Sequence, residues 1–375
     1  MRRALAFFVA VSLLAVASCG SRTGLFGPAG DGALADGGLP DGRATGPDGT
    51  VPCVPGRFDL ELATAQIMFV IDRSGSMQFE LGRDRPADPG ERRWDILRTS
   101  LDETFAPFDG ELTMGAKFFP EPLTERDVAS ADRACRTETG VSVAPSRGNL
   151  ESVLSVFDRT EPRGGTPTAE AVRLAAEFLV QSRTVARTLV LATDGAPNCN
   201  VNLDASSCVC TTPDVSCAGN PDRGRYSCLD DDRTVATIRD IAEGQNIPVF
   251  VIGIGSLGRP AFLEVLDQMA IAGGRPRAES PRHYNVQTAG EMTSALATIR
   301  DSVSKCTYLT PSSPIDPDEI SVEVDGAPID RDSTRQNGWD WVDQAYGELA
   351  FFGAACERVR TGAARVTGVV TCESK

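Results

Sequence analysis

Residues 67–71 read Ile-Met-Phe-Val-Ile and residues 72–76 read Asp-Arg-Ser-Gly-Ser, and this stretch decides the fold of the chain. The apolar, β-branched run is typical of a strand buried on both faces, as in a parallel sheet. The polar residues therefore lie on the loop at the carboxyl end of that strand, where open α/β sheets bind ligands. Asp72, Ser74 and Ser76 offer hard oxygen donors, which suit Mg²⁺, Mn²⁺ or Ca²⁺ better than zinc or copper. Taken alone, the loop is equally compatible with ordinary turn chemistry.

Two further segments supply a hydroxyl and a second acid. Thr166 lies in Gly-Gly-Thr-Pro-Thr, directly before a helical stretch, and Asp194 follows a second buried-strand pattern at residues 189–193. Both residues are expected on loops that can converge with the loop after residue 71.

Together, Asp72, Ser74, Ser76, Thr166 and Asp194 resemble the metal-ion-dependent adhesion site of the von Willebrand factor type A (VWA) family, which uses Asp-x-Ser-x-Ser, a distant Thr and a distant Asp in this order. The resemblance implies a Mg²⁺ site, with Mn²⁺ or Ca²⁺ as alternatives. It also implies that the hydroxyls ligate the ion directly, that the acids often act through water, and that an acidic residue of a protein partner takes an open position. Because few acids bind directly, the ion keeps enough Lewis acidity to attract that carboxylate.

Strand and helix patterns alternate between about residues 57 and 305, which predicts a doubly wound, mainly parallel α/β sheet flanked by helices. The predicted strands are residues 65–71, 111–119, 141–143, 188–193, 248–253 and 283–286. The predicted helices are residues 92–105, 150–157, 168–181, 232–243, 259–272 and 289–303. We assign residues 56–306 to this domain, with a Cys-rich insertion at 198–229.

Residues 307–375 read differently, because polar and apolar residues alternate between turn signals. This pattern predicts a small β-rich module. Trp339 and Trp341 share one face of a predicted strand, and we expect that face to be core rather than a carbohydrate platform.

The amino terminus is typical of an export signal, with two arginines before a short apolar run. Residues 16–19 read Val-Ala-Ser-Cys and resemble a bacterial lipobox, so residues 1–19 are predicted to be a lipoprotein signal that ends at a lipidated Cys19. An ordinary cleaved signal is the alternative. Gly20 stands where an aspartate would resemble an inner-membrane retention signal, so the outer membrane is favoured. Residues 20–55, rich in Gly, Asp, Ala and Pro, predict a flexible tether.

The cysteine count agrees with export, because eleven cysteines minus Cys19 leave an even number. The disulfide candidates are Cys53, Cys135, Cys199, Cys208, Cys210, Cys217, Cys228, Cys306, Cys356 and Cys372. Cys53 and Cys306 flank the α/β domain and are expected to pair, because the ends of compact domains are often close. Cys356 is expected to pair with Cys372. One of the five insertion cysteines must pair outside the insertion, and Cys135 is the candidate. Zinc binding by the insertion is the less favoured alternative.

Composition narrows the function further. The formal net charge is -15 at pH 7, and no basic patch suggests nucleic-acid binding. The one histidine, His283, reads as a strand-edge residue, so a Ser-His-Asp or Cys-His hydrolase is not expected, and no general base accompanies the oxygen cluster. The leading hypothesis is therefore a non-enzymatic envelope lipoprotein that binds a protein partner through a divalent cation. The alternative is a structural or assembly component of an envelope complex, with a non-essential metal site.

Overall fold

The computed structural model describes residues 50–63, 66–181, 186–212, 216–220, 223–255, 259–360 and 364–372. The predictions on the signal, on Cys19 and on the tether up to residue 49 lie outside these residues. The strands are β1 (Gly56–Asp59), β2 (Glu61–Leu62), β3 (Gln66–Asp72), β4 (Thr113–Phe119), β5 (Val143–Ser146), β6 (Arg187–Thr193), β7 (Val249–Ile254), β8 (Tyr284–Val286), β9 (Thr307–Leu309), β10 (Ile320–Val324), β11 (Ala327–Ile329), β12 (Gly338–Asp343), β13 (Glu348–Phe352) and β14 (Val366–Val370).

The helices are α1 (Arg93–Phe105), α2 (Ala131–Ala134), α3 (Leu150–Arg159), α4 (Thr168–Val180), α5 (Asp231–Arg239), α6 (Pro260–Ala272), α7 (Ala289–Lys305) and α8 (Gly353–Val359). A π-helical turn, Asp240–Gly244, continues α5. Short 3-10 turns occur at Gly75–Gln78, Ala106–Phe108, Asp127–Ala129 and Gly224–Ser227.

A six-stranded sheet in the order β5-β4-β3-β6-β7-β8 forms the centre of the α/β domain. All neighbouring pairs are parallel except β4 and β5, which are antiparallel. The predicted fold class, a doubly wound and mainly parallel α/β sheet, is confirmed. The predicted strands and helices of this domain agree with the structure to within about three residues at most ends.

β3 explains why one short stretch decides this fold. Every residue of β3 is buried, and successive side chains point to opposite faces. Ile67, Phe69 and Ile71 pack into a core with residues of α1, α3 and α7, whereas Met68 and Val70 pack into a second core with residues of α4, α5 and α6. Each fully buried aliphatic or aromatic side chain stabilises the fold by roughly 1.5–3 kcal/mol, so a strand with two buried faces supports both helix layers.

The β module contains two four-stranded sheets, ordered β1-β14-β10-β11 and β12-β13-β9-β2. Trp339 and Trp341 are buried in its core with ring centroids 5.5 Å apart, as expected for a core face. The structure adds two strands that the sequence did not reveal, β1 and β2, which pair with β14 and β9. The α/β sheet thus begins at β3 and not at residue 56. Helix α8 was also not predicted.

Two predicted disulfides are wrong, and strand pairing explains why. Cys53 bonds Cys372 rather than Cys306, because β1 pairs with β14 and brings the residues next to these two strands together. Cys356 bonds Cys306 and not Cys372. Cys306 directly precedes β9, which pairs with β13, and Cys356 lies in α8, which directly follows β13.

The remaining disulfides lie in or next to the insertion. Cys135, the candidate partner from outside it, bonds Cys199. Cys208 bonds Cys228, and Cys210 bonds Cys217. The sulfur atoms of Cys208, Cys217 and Cys228 lie within 4.8 Å of one another, but all three are in disulfides, so the zinc alternative is not supported. Among the residues described, no helix is long and apolar enough to span a bilayer.

Candidate metal centre

Asp72 is the last residue of β3 and is fully buried at the carboxyl edge of the sheet. Its Oδ1 accepts a hydrogen bond from the backbone N–H of Ser74 at 2.7 Å, and its Oδ2 accepts one from the Thr193 hydroxyl at 2.6 Å. Thr193 ends the neighbouring strand β6. Both carboxylate oxygens are thereby oriented by the two central strands.

Ser74 and Ser76 place their hydroxyl oxygens 3.1 Å apart. Two adjacent ligands of an octahedral Mg²⁺ ion, each about 2.1 Å from the metal, lie roughly 3 Å from each other. The spacing of the serine hydroxyls therefore fits a shared ion. Ser74 is buried and Ser76 is partly exposed, so the pair lies where the buried loop meets solvent.

Thr166 lies on the loop before α4, and this loop is fastened to the one after β3. The Gly75 N–H donates to the Gly164 carbonyl at 3.1 Å. Thr166 is held in turn by Asn198, whose side-chain oxygen accepts from the Thr166 N–H at 2.7 Å and whose own N–H donates to the Thr166 carbonyl at 2.9 Å. The structure thus connects the backbone of the predicted threonine to the Asp-x-Ser-x-Ser loop.

The Cys135–Cys199 disulfide packs against the same loop. A Cβ atom added at Gly165 would lie 2.6 Å from the Cys199 sulfur and 3.1 Å from the Cys135 sulfur. Only glycine leaves room for this contact, so the insertion lies beside Thr166.

Asp194 follows β6 and lies next to Asp72 across the β3–β6 pair. Its side chain is only 4% exposed, and its Oδ2 accepts a hydrogen bond from Arg93 at 2.9 Å. Arg93 begins α1 and is 2% exposed. Its other terminal nitrogen donates to Asp84 at 3.0 Å and to the Gly255 carbonyl at 3.1 Å. This guanidinium therefore fixes the position of Asp194.

The two carboxylates repel each other. Burial first, and then the Asp194 charge, raise the pKa of Asp72 to about 7, although the hydrogen bonds from Thr193 and Ser74 act in the opposite direction. A cation between such groups relieves both the desolvation and the repulsion. The donor set therefore fits a hard divalent cation: two carboxylates and three hydroxyls, without sulfur or imidazole.

The sequence proposed five oxygen donors but missed three residues that position them, namely Arg93, Thr193 and Asn198. Thr193 could have been found from its place at the end of a strand beside Asp194. Arg93 could not, because its contact with Asp194 spans 101 residues of sequence. His283 is fully buried directly before β8, and its Nδ1 lies 2.6 Å from Asp267 Oδ1.

The sheet order and the placement of these residues make this a VWA-like fold. No protein-family model matches the chain, and no curated protein matches it. The PilB minor pilin from Streptococcus sanguinis is 15% identical, with a TM-score of 0.45, over 67% of this chain and 63% of that one.

Two further solved structures resemble the chain. The manganese-loaded TRAP protein from Plasmodium vivax is 15% identical, with a TM-score of 0.41, over 65% of this chain and 76% of that one. The vWF domain of the type V pili tip protein Mfa5 from Porphyromonas gingivalis is 10% identical, with a TM-score of 0.39, over 68% of this chain and 95% of that one. This chain spans less than two thirds of the PilB pilin, at 62% and 63% in two structures.

Proposed function

We propose that the protein is an exported, lipid-anchored binding protein that captures a protein partner through a divalent cation. The ion, Mg²⁺ or alternatively Mn²⁺ or Ca²⁺, is held by Asp72, Ser74, Ser76, Thr166 and Asp194. One observation carries the proposal: two serine hydroxyls 3.1 Å apart lie on the loop directly after the buried carboxylate of Asp72, at the sheet edge where the buried Asp194 also lies.

The chemistry of this donor set favours an acidic residue on the partner. Two acids and three hydroxyls give the site limited negative charge, so a further carboxylate can enter an open position without strong repulsion. The chain as a whole carries a net charge of -15 and repels an acidic surface, so the ion has to provide the local attraction. At coordination distance this attraction is little screened by salt.

The proposal assigns binding and no catalysis to this site. Each candidate ligand is an oxygen donor. Hydrolysis would also need a positioned general base, and that role would fall to one of the carboxylates that hold the ion. His283 is fully buried, so its imidazole cannot reach a substrate as a general base. The export signal and the five disulfides support a location in the cell envelope, with the outer membrane favoured.

The test is capture of partners from envelope extract with and without chelator. Wild-type protein is expected to release its partner in EDTA and to rebind it when Mg²⁺ is restored, and Ser74→Ala/Ser76→Ala is expected to bind none. Ser152→Ala/Ser155→Ala on α3 is the matched control, because it removes two solvent-accessible hydroxyls that are not candidate ligands and should bind normally. Substitution of one key Asp or Glu of the partner should have the same effect as chelation.

The second candidate is a structural component of an envelope complex, which the rigid disulfide-bonded insertion beside Thr166 favours. A partner that stays bound in excess chelator, with unchanged affinity for the Ser74/Ser76 double variant, would select this second function and reject the first.

A further inference from the structure

An arginine-rich cavity of about 650 Å³ lies where the α/β domain meets the β module. Its volume is within the range of small-molecule sites. One wall is the loop after α6, a second is a face of α7, and a third comes from the end of β13 and from α8. Phe250, near the amino end of β7, also lines it. The cavity is thus at the opposite edge of the sheet from Asp72 and Asp194, and it is a separate site.

The loop after α6 contributes three arginines that line the cavity without an ion pair, namely Arg275, Arg277 and Arg282. Within the part of the chain that the structure describes, no carboxylate oxygen lies within 4.0 Å of their guanidinium nitrogens. The acids that line the cavity are already engaged. Glu291 accepts the N–H groups of the α7 capping box, and Glu357 forms an ion pair with Arg360. In a chain with a net charge of -15, the cavity has a local excess of positive charge.

Arg275 is the most confined of the three. Its guanidinium carbon lies 5.5 Å from the ring centroid of Phe250 and 4.9 Å from that of Phe352. Its Nε is buried and has no hydrogen-bond partner among the described residues. Burial, and then the nearby Arg335, lower the pKa of Arg275 to about 10, so the group remains charged at neutral pH. Two aromatic faces hold the cation in place but do not neutralise it.

Hydroxyl groups line the opposite wall. Ser294, Thr298 and Ser302 follow one another at intervals of four residues on α7, so they lie on one face of the helix, and all three line the cavity. Guanidinium and hydroxyl groups are the usual donors to carboxylate and phosphate oxygens. We propose that this cavity binds a small ligand that carries phosphate or carboxylate groups, with Arg275, Arg277 and Arg282 as the recognising cations.

Such a ligand would contact both parts of the molecule, because Arg275 belongs to the α/β domain and Phe352 to the β module. A ligand that binds only the folded protein raises its melting temperature, and above the dissociation constant the rise grows with the logarithm of the ligand concentration. The test is thermal unfolding of the full chain in inorganic phosphate, pyrophosphate and citrate, each compared with NaCl at the same ionic strength. No divalent cation is added, because these anions chelate divalent cations. With such a cation present, a change in melting temperature could come from its loss at the metal centre.

At least one anion is expected to raise the melting temperature more than NaCl does, by an amount that grows with the logarithm of its concentration. A larger response to the phosphates than to citrate identifies a phosphate ligand, and the reverse identifies a carboxylate ligand. Arg275→Gln, and Arg282→Gln at a less buried position, should each need at least a tenfold higher anion concentration for the same rise in melting temperature. Arg147→Gln is the matched control, because Arg147 is exposed on the loop before α3 and should respond as wild type. Equal responses in anion and NaCl, or an unchanged response in both cavity variants, would overturn the proposal.

Discussion

Arg93 forms an ion pair with Asp194. Both side chains are almost completely buried, and removal of one partner from a buried ion pair is strongly destabilising. We expect Arg93→Met to lower the free energy of unfolding of the metal-free protein by about 3 kcal/mol. The same variant should show a larger Mg²⁺-induced rise in melting temperature, because the ion no longer competes with the guanidinium for Asp194.

The adjacent residue provides the control. Arg92 bonds Asp95 and Glu161 nearer the surface, where an ion pair contributes about 0–1 kcal/mol. Arg92→Met should therefore change neither stability nor metal response by much. If Arg93→Met behaved like Arg92→Met, Arg93 would have no part in the candidate centre.

Variants of Asp194 and Asp84 distinguish ligation of the ion from structural support. Both residues accept a hydrogen bond from Arg93, but only Asp194 is a candidate ligand. We expect Asp194→Asn to lose the thermal stabilisation by Mg²⁺ while it keeps its fold, since the amide oxygen still accepts from Arg93. Asp84→Asn should retain the stabilisation. Melting curves with and without Mg²⁺ check both expectations, and equal metal-dependent shifts in wild type and Asp194→Asn would remove Asp194 from the ligand set.

At the scale of elements, the Cys135–Cys199 disulfide supports the loop that carries Thr166. Loss of a group that positions a ligand typically lowers metal affinity by about 10–100-fold. We expect Cys135→Ser/Cys199→Ser to weaken Mg²⁺ binding about tenfold by calorimetry. Cys306→Ser/Cys356→Ser, a disulfide of the β module, should lower stability by a few kcal/mol yet leave Mg²⁺ affinity unchanged. Equal affinities in the two variants would contradict a supporting role for the first disulfide.

The elements that could be predicted from sequence are those whose pattern is local. β3 and β6 are built on continuous apolar runs. β3 ends in Asp72 and Asp194 follows β6 directly, so each strand and its candidate ligand were found together. β1 and β2 could not be found, because they are only four and two residues long and each contains a single large apolar residue, which is too little to show a strand pattern. The disulfide partners of Cys53 and Cys306 could not be found because they depend on which strands pair, across 319 residues for Cys53–Cys372 and across 50 for Cys306–Cys356.

At the scale of the whole molecule, attachment to the membrane depends on Cys19 in our proposal. We predict that Cys19→Ala yields protein in the soluble fraction, because the tether offers no other apolar anchor and a lipid group supplies the binding energy. Cell fractionation followed by salt extraction checks this. A variant that still sediments with membranes and resists salt would reject the lipid anchor or indicate a tight partner in the membrane.

The Cys53–Cys372 disulfide also has a mechanical consequence. An anchor at Cys19 and a captured partner would together put tension on the chain ahead of Cys53. That tension would act on β1 at the end where Gly56 pairs with Val370. In an antiparallel pair pulled from that end, the backbone hydrogen bonds would break one after another, like a zipper. The disulfide closes this same end, so the load passes into β14, which is flanked by β1 and β10. Such a load would therefore be borne by the disulfide and β14, and not by the hydrogen bonds between β1 and β14 alone.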